Sequence, residues 1–276
     1  LARRNNKSRV GASTPDLAQS MSMKGGLVYE APTEFVELPT KGKLYPEGHP
    51  FHLREEVEIR YMTAKDEDIL SSQTLINRGV AIDRFIENIL VDEGIDSDSL
   101  YIGDKNAIIV AARATGYGPD YECSVSCPAC GAKSDYTFNL LNAPIKELPS
   151  DVKFTSNGTF LVDLPKTGFT AELRLLTTKE QRYLTELAES KRKKNLRESS
   201  STDLLKMIVT SVGDVSNRAE IEKFIDNLPS SDSLEIRRVY SKVTPNIDLT
   251  QDFECPSCNV TTALEVPLGA DFFWPR

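Results

Sequence analysis

Four of the chain's five cysteines fall in two pairs of the same form. Cys127 and Cys130 stand in "CPAC", Cys255 and Cys258 in "CPSC", and short runs of alternating apolar and polar residues flank both. Two thiolates separated by two residues can turn back onto one ion, and proline inside the turn presets φ and lowers the cost of ordering it. A structural, tetrahedral Zn2+ takes four such ligands, often as two pairs. Cys127, Cys130, Cys255 and Cys258 therefore read as the ligand set of one structural zinc, held by a zinc ribbon split in two. Three rivals use the same residues. A thioredoxin-like redox site wants one Cys-x-x-Cys at a helix start after a strand. Paired disulfides want an oxidising compartment. An iron centre accepts the same four thiolates. Cys123 shares the strand parity of Cys127 and is expected to pack as a small hydrophobe. The only histidines, His49 and His52, lie in "EGHPFH" and are expected in a turn rather than on the metal.

Other catalytic chemistry is thin. Four thiolates leave no open coordination position for a reacting water. "GYG" at 116–118 lacks the following Gly and Lys-Ser/Thr of a phosphate loop. The acidic "DED" at 66–68 falls on an expected helix start, where carboxylates satisfy free N–H groups. The chain reads as a protein that is not an enzyme.

The elements that must bring the distant pairs together carry a weak internal repeat. "VEIRYMTAKDEDIL" (57–70) resembles "AELRLLTTKEQRYL" (171–184), each a strand running into a helix with a Thr-based cap: Thr63 with Asp66, and Thr177 with Glu180 or Thr178 with Gln181. "IDRFIENIL" (82–90) resembles "IEKFIDNL" (221–228), with apolar residues at i, i+3, i+4 and i+7. "SDSL" recurs at 97–100 and 231–234, and a further helical run precedes each cysteine pair, "DKNAIIVAARATG" in one copy and "SLEIRRVYSKV" in the other. Tyr121, Cys123 and Val125 alternate with polar residues and are answered by Tyr136 and Phe138, as in a hairpin. The offsets are 114 from Thr63 to Thr177, 139 from Phe85 to Phe224 and 128 from Cys127 to Cys255. They place an insertion at "AESKRKKNLRESSST" and a deletion before the second pair. The expected fold is α+β, with internally duplicated strand–helices–zinc-knuckle halves sharing one split zinc ribbon. The expected boundaries are a flexible arm at 1–30, a first half at 31–145 and a second half at 146–276, clamped together by the metal.

The net charge of −8 argues against a general nucleic-acid binder, which needs a positive field. Two basic clusters stand apart from that balance. Arg3, Arg4, Lys7 and Arg9 lie in a Ser- and Asn-rich opening, and "KRKK" at 191–194 reads as a solvated helix end. Phe272, Phe273 and Trp274 read as a core plug for the second hairpin or as an anchor into a neighbour. The chain opens on Leu1, as a fragment or processed product would; no signal peptide is expected in the residues given, and none of their runs is apolar enough to span a bilayer.

"FVELPTKGKLYPEGHP", "VEIRYMTAKDEDIL", "GDKNAIIVAARATGYGPDYECSVSCPAC" and the late "CPSC" together resemble the baseplate proteins of T-even-like contractile-tailed bacteriophages. The likeness runs from about Phe35 to Phe138 and is most specific in "LPTKGKLYP" and "AARATGYGP". It implies a virion or assembly role at the tail baseplate hub, assembly in the host cytoplasm, and partners among other baseplate and tail proteins. It implies no catalytic activity, membrane or small-molecule substrate. The competing class is a nucleic-acid-binding zinc ribbon of a transcription or replication assembly. "CPACGAK" offers it one lysine and "CPSCNV" none.

Overall fold

The computed structural model describes residues 30–146, 148–149, 152, 154–155, 157–196, 199–267 and 270–273. The expected arm, apart from Glu30, and Trp274 lie outside these residues. The first strands alternate as their sequence does. β1 (Thr33–Glu37) and β2 (Glu56–Arg60) pair antiparallel, turning Val36, Val57 and Ile59 inward and Phe35 outward. Then come α1 (Ala64–Ser71), α2 (Gln73–Asn77), α3 (Ala81–Ile89) and α4 (Ile102–Tyr117). The antiparallel hairpin of β3 (Asp120–Ser126) and β4 (Lys133–Asn139) carries the first cysteine pair, and β5 (Ile145–Lys146) ends this half.

The order then recurs with additions. β6 (Phe160–Asp163) and β7 (Thr170–Leu173) lead into α5 (Thr178–Lys193), α6 (Ser200–Ile208) and β8 (Val209–Val212), and β8 joins the far side of β7. α7 (Arg218–Asp226), α8 (Ser230–Val243) and β9 (Asn246–Ile247) precede the second cysteine hairpin, β10 (Thr250–Glu254) with β11 (Thr261–Glu265). β9 pairs with β5, tying the exit of the first hairpin to the approach of the second. The protein is a mixed α+β fold, with eight α-helices and five small sheets among the described residues.

The same contacts are built in both halves. Arg60 forks onto Asp66 at 2.6 and 2.8 Å, and Arg174 onto Glu180 at 2.8 and 2.7 Å. Each acid is the third residue of its helix and closes a capping box with Thr63 or Thr177, which answers the free N–H groups of the first turn. Thr33 donates to Glu58 and Thr159 to Glu172, both at 2.5 Å. "VELP" ends β1 and "VDLP" ends β6, and the turns that follow hold Gly42 and Gly168 at φ of 68° and 71°. Buried Asp104, in the first turn of α4, accepts from the Thr40 N–H at 3.0 Å and the Tyr45 hydroxyl at 2.8 Å. Buried Asp232, in the first turn of α8, accepts from the N–H groups of Lys166 at 2.7 Å and Thr167 at 2.9 Å. A buried carboxylate thus pins the strand–strand turn beneath a helix start in both halves.

One sequence pairing is not the one the sheets keep. After α3, Leu90 bridges Ile59 of β2; after α6, Val209 pairs with Leu173 of β7. The counterpart of α3 by position is therefore α6, and α7 is an addition. An apolar i, i+3, i+4 stripe is common to most surface helices, so "IDRFIENIL" and "IEKFIDNL" match without sharing a place. "SDSL" also differs: at 97–100 it includes a 3-10 turn capped by Asp96, and at 231–234 it lies within α8.

The buried residues form two cores that cross the expected boundary at 145. The first joins β1–β4 and α3–α4 to Ile247, Leu249, Phe253, Cys255, Val266, Phe272 and Phe273. The second gathers β6–β8 and α5–α8, together with Leu44 from the loop between β1 and β2. Phe273 lies 4.9 Å from Phe85, and Phe272 4.9 Å from Tyr121, ring centre to ring centre. These phenylalanines do plug a core, but against α3 and β3 of the first half rather than within the second hairpin. A polar seam runs beside the cores. Thr178 donates both N–H and hydroxyl to Leu100 O, and Arg182 reaches Asp83 at 2.5 Å and Asp98 at 2.7 Å.

Candidate metal centre

Each cysteine pair sits in a turn whose backbone is already closed. Cys127 N–H donates to Ala132 O at 2.9 Å and Gly131 N–H to Cys127 O at 2.8 Å; Cys255 N–H donates to Val260 O at 3.1 Å and Asn259 N–H to Cys255 O at 2.8 Å. Gly131 at φ 73° and Asn259 at φ 55° occupy the same left-handed place, where glycine is free and asparagine is among the best-tolerated side chains. The hairpins pack on one another away from the turns. Tyr136 meets Phe253 edge-on at 5.0 Å, and Gln251 donates to Asn139 O at 2.8 Å while accepting from Asn139 N–H at 3.3 Å.

This docking brings the four sulfurs within 4.8 Å of one another. Two of the four cross-hairpin separations, Cys127–Cys258 and Cys130–Cys255, are 3.8 Å. A regular tetrahedron with metal–sulfur bonds of about 2.3 Å has sulfur–sulfur edges of about 3.8 Å, so the donor set fits one four-coordinate ion. No disulfide joins any two of the five cysteines. The first of each pair is buried and the second more open, which places the cluster at the edge of the first core.

Four thiols this close cannot all ionise without a cation between them. Burial opposes ionisation of Cys255, but the N–H groups of Ser257 and Cys258 and the neighbouring thiols bring it down to about 7. At Cys258 the Val260 N–H favours the thiolate, yet burial and the three surrounding sulfurs push it up to about 12. A bound dication removes this conflict, because it stabilises every thiolate it touches.

Cys123 is outside the cluster and buried in the first core. His49 and His52 are also elsewhere. His49 stacks on Tyr45 at 4.3 Å, accepts from Phe51 N–H at Nδ1 and reaches Ser99 through Nε2; His52 Nδ1 lies 2.7 Å from Tyr45 O. Both rings brace the β1–β2 loop. The residues that sequence reasoning passed over are Leu44, Asp104 and Asp232. The shared "LP" and following glycine at 38–42 and 164–168 were the available signal for the two aspartates' turns.

A family model described as T4 bacteriophage base plate protein matches residues 31–274. No curated protein and no solved structure matches the chain. No described helix is long and apolar enough to cross a membrane.

Proposed function

The chain belongs to the T4 bacteriophage base plate protein family, and from that membership we propose that it is a zinc-stabilised component of the baseplate hub of a contractile tail. A structural role in the phage baseplate follows from the family itself; hub position, zinc and partner choice are the proposal. The four-sulfur cluster is the observation behind the zinc, since its edges suit a tetrahedral ion and its thiols need a cation to ionise together. The ion is held by Cys127 and Cys130 from one hairpin and Cys255 and Cys258 from the other. It is structural, because four thiolates leave no position for a substrate, and the protein is not an enzyme.

The repeated contacts support an internal duplication with the metal on its local pseudo-twofold. Three offsets organise it: 126 from Leu38 to Leu164, 114 from Arg60 to Arg174, and 128 both from Asp104 to Asp232 and from Cys127 to Cys255. The protein binds other tail proteins, assembles in the host cytoplasm and remains in the virion. A cryo-EM map of the assembled tail tests this reading: density for this fold beside the hub supports it, and a finished tail without the protein contradicts a permanent place in the virion.

A further inference from the structure

The outer face of the β1–β2 sheet carries a pairing that an isolated sheet disfavours. With Val36, Val57 and Ile59 turned inward, Phe35, Glu37, Glu56 and Glu58 turn outward. Glu37 stands directly opposite Glu56, and like charges in that position destabilise a sheet. Glu58 is next along the same face, flanked by Val91, whose N–H donates to Glu58 O at 3.1 Å. Among the described residues none gives Glu37 or Glu56 an ion pair or a side-chain hydrogen bond. Phe35 is 51% exposed and Val91 43%.

The second half builds the same place without the conflict. Asp163 and Thr170 take the positions of Glu37 and Glu56, and the Thr170 hydroxyl donates to Asp163 at 2.7 Å. Glu172, in the place of Glu58, accepts from the hydroxyls of Thr159 and Ser211, where Glu58 has only Thr33 among the described residues. The repeat therefore permits a satisfied face, and the first half holds an acidic one bordered by apolar side chains. Such a face suits a partner that brings cations beside an apolar knob.

The chain itself carries that knob. α5 has 16 residues where α1 has 8, so its last turns extend past the repeat. Its end is closed by two backbone bonds, Leu196 N–H to Lys191 O at 2.9 Å and Asn195 N–H to Arg192 O at 3.2 Å, with Asn195 left-handed at φ 50°. Lys191 braces this end against α6 through Ser199 and Asp203, both at 2.6 Å. An apolar residue in the place of Leu196 commonly packs back on its own helix, yet Leu196 is 57% exposed. Arg192, Lys193 and Lys194, all exposed, stand in the turn before it. Among the described residues their one ion pair is Lys193 with Glu189 at 3.7 Å, open to solvent on both sides. A tip already ordered loses little freedom on binding.

We propose that the end of α5 in one copy of this chain docks on the outer β1–β2 face of a second copy, with Leu196 against Phe35 and Val91, and Arg192, Lys193 and Lys194 against Glu37, Glu56 and Glu58. The two surfaces differ, so the contact is head-to-tail and leaves a free tip and a free face for further copies. It rests on neither the metal nor the tail assignment.

The test is sedimentation equilibrium of the full-length protein. At about 50 mM salt and about 0.1 mM protein its weight-average mass should reach at least about 1.5 times that of one chain, and return toward one chain at about 500 mM salt. A mass that stays at one chain throughout overturns the proposal and leaves the face to a basic tail protein or to the chain's own basic opening. Glu37→Lys with Glu56→Lys, and separately Lys193→Glu with Lys194→Glu, should each weaken association at least about tenfold. A one-to-one mixture of these two proteins should restore it, because each reversed surface then meets its complement. Association that survives either reversal, or that the mixture fails to restore, overturns the proposal. Glu37→Gln with Glu56→Gln removes the repulsion, so that protein should melt no lower than the parent and still associate less; equal association would count against the contact. Leu196→Ser keeps every charge and should weaken association at least about fivefold. Unchanged association there would show that Leu196 is not seated, and the proposed contact fails. Metal content and incorporation into tails are separate readouts, so a failure of the functional reading leaves these results standing.

Discussion

At the scale of single residues, two carboxylates make opposite demands on pH. Burial pushes Glu34 up to about 7 against one hydrogen bond from Thr115, and its Oε2 has no partner among the described residues. A folded-state value above the ordinary carboxylate range means the fold favours the neutral acid. That contribution is whole below about pH 4.5 and is lost as pH rises through 7. Glu34→Gln should therefore be more stable than the parent at pH 8 and nearly equal at pH 5, in denaturant titrations at both values. Asp66 behaves the other way. Burial alone would raise it, but the Arg60 fork, the Thr63 N–H and hydroxyl, and Asn88 hold it at about 2. Its stabilisation is present above about pH 4 and disappears as pH falls from there through 2. Asp66→Asn should be less stable than the parent at pH 7 and lose less on acidification to pH 3. If the two acid limbs run parallel, the Arg60 fork does not hold Asp66 in its charged form.

At the scale of elements, the loop between β1 and β2 has the most specific task. It leaves the first core, inserts fully buried Leu44 into the second, and returns under Tyr45, whose hydroxyl meets Asp104. Tyr101 hydroxyl caps Leu44 O at 2.8 Å. Leu44→Ala should cost about 2–5 kcal/mol by chemical denaturation, the range for an aliphatic truncation that leaves a cavity. A change below about 0.5 kcal/mol would show that the insertion holds nothing together. Much of this architecture was legible beforehand. Both capping boxes were readable because threonine and an acid three residues on are a local signal, and both hairpins because alternation and Cys-Pro-x-Cys are local too. The crossing of the cores was not. "LPTKGKLYPEGHP" reads as a turn from its Pro and Gly, but nothing local says that Leu44 is buried by residues beyond 160. The mistaken pairing of α3 with α7 has the same origin, since helical periodicity reports a buried face without saying what covers it.

At the scale of the whole molecule, the proposed metal would be one of several ties between the two halves, and this alters the expectation that it clamps them. β5–β9 pairing, the Leu44 insertion, the Thr178–Leu100 bonds and the Arg182 bridges to Asp83 and Asp98 all lie outside the cysteine turns. Cys255→Ser should therefore release the metal, fray the paired hairpins and lower Tm, yet leave the protein at the parent's elution volume on size exclusion. A large increase in hydrodynamic radius would mean that these seams cannot hold without the ion. The most direct measurement of the central claim is metal content combined with X-ray absorption on the purified protein. One zinc per chain with four sulfur neighbours at about 2.3 Å is the predicted result. A protein that folds and carries no bound metal, or a metal shell containing nitrogen or oxygen in place of sulfur, would contradict it.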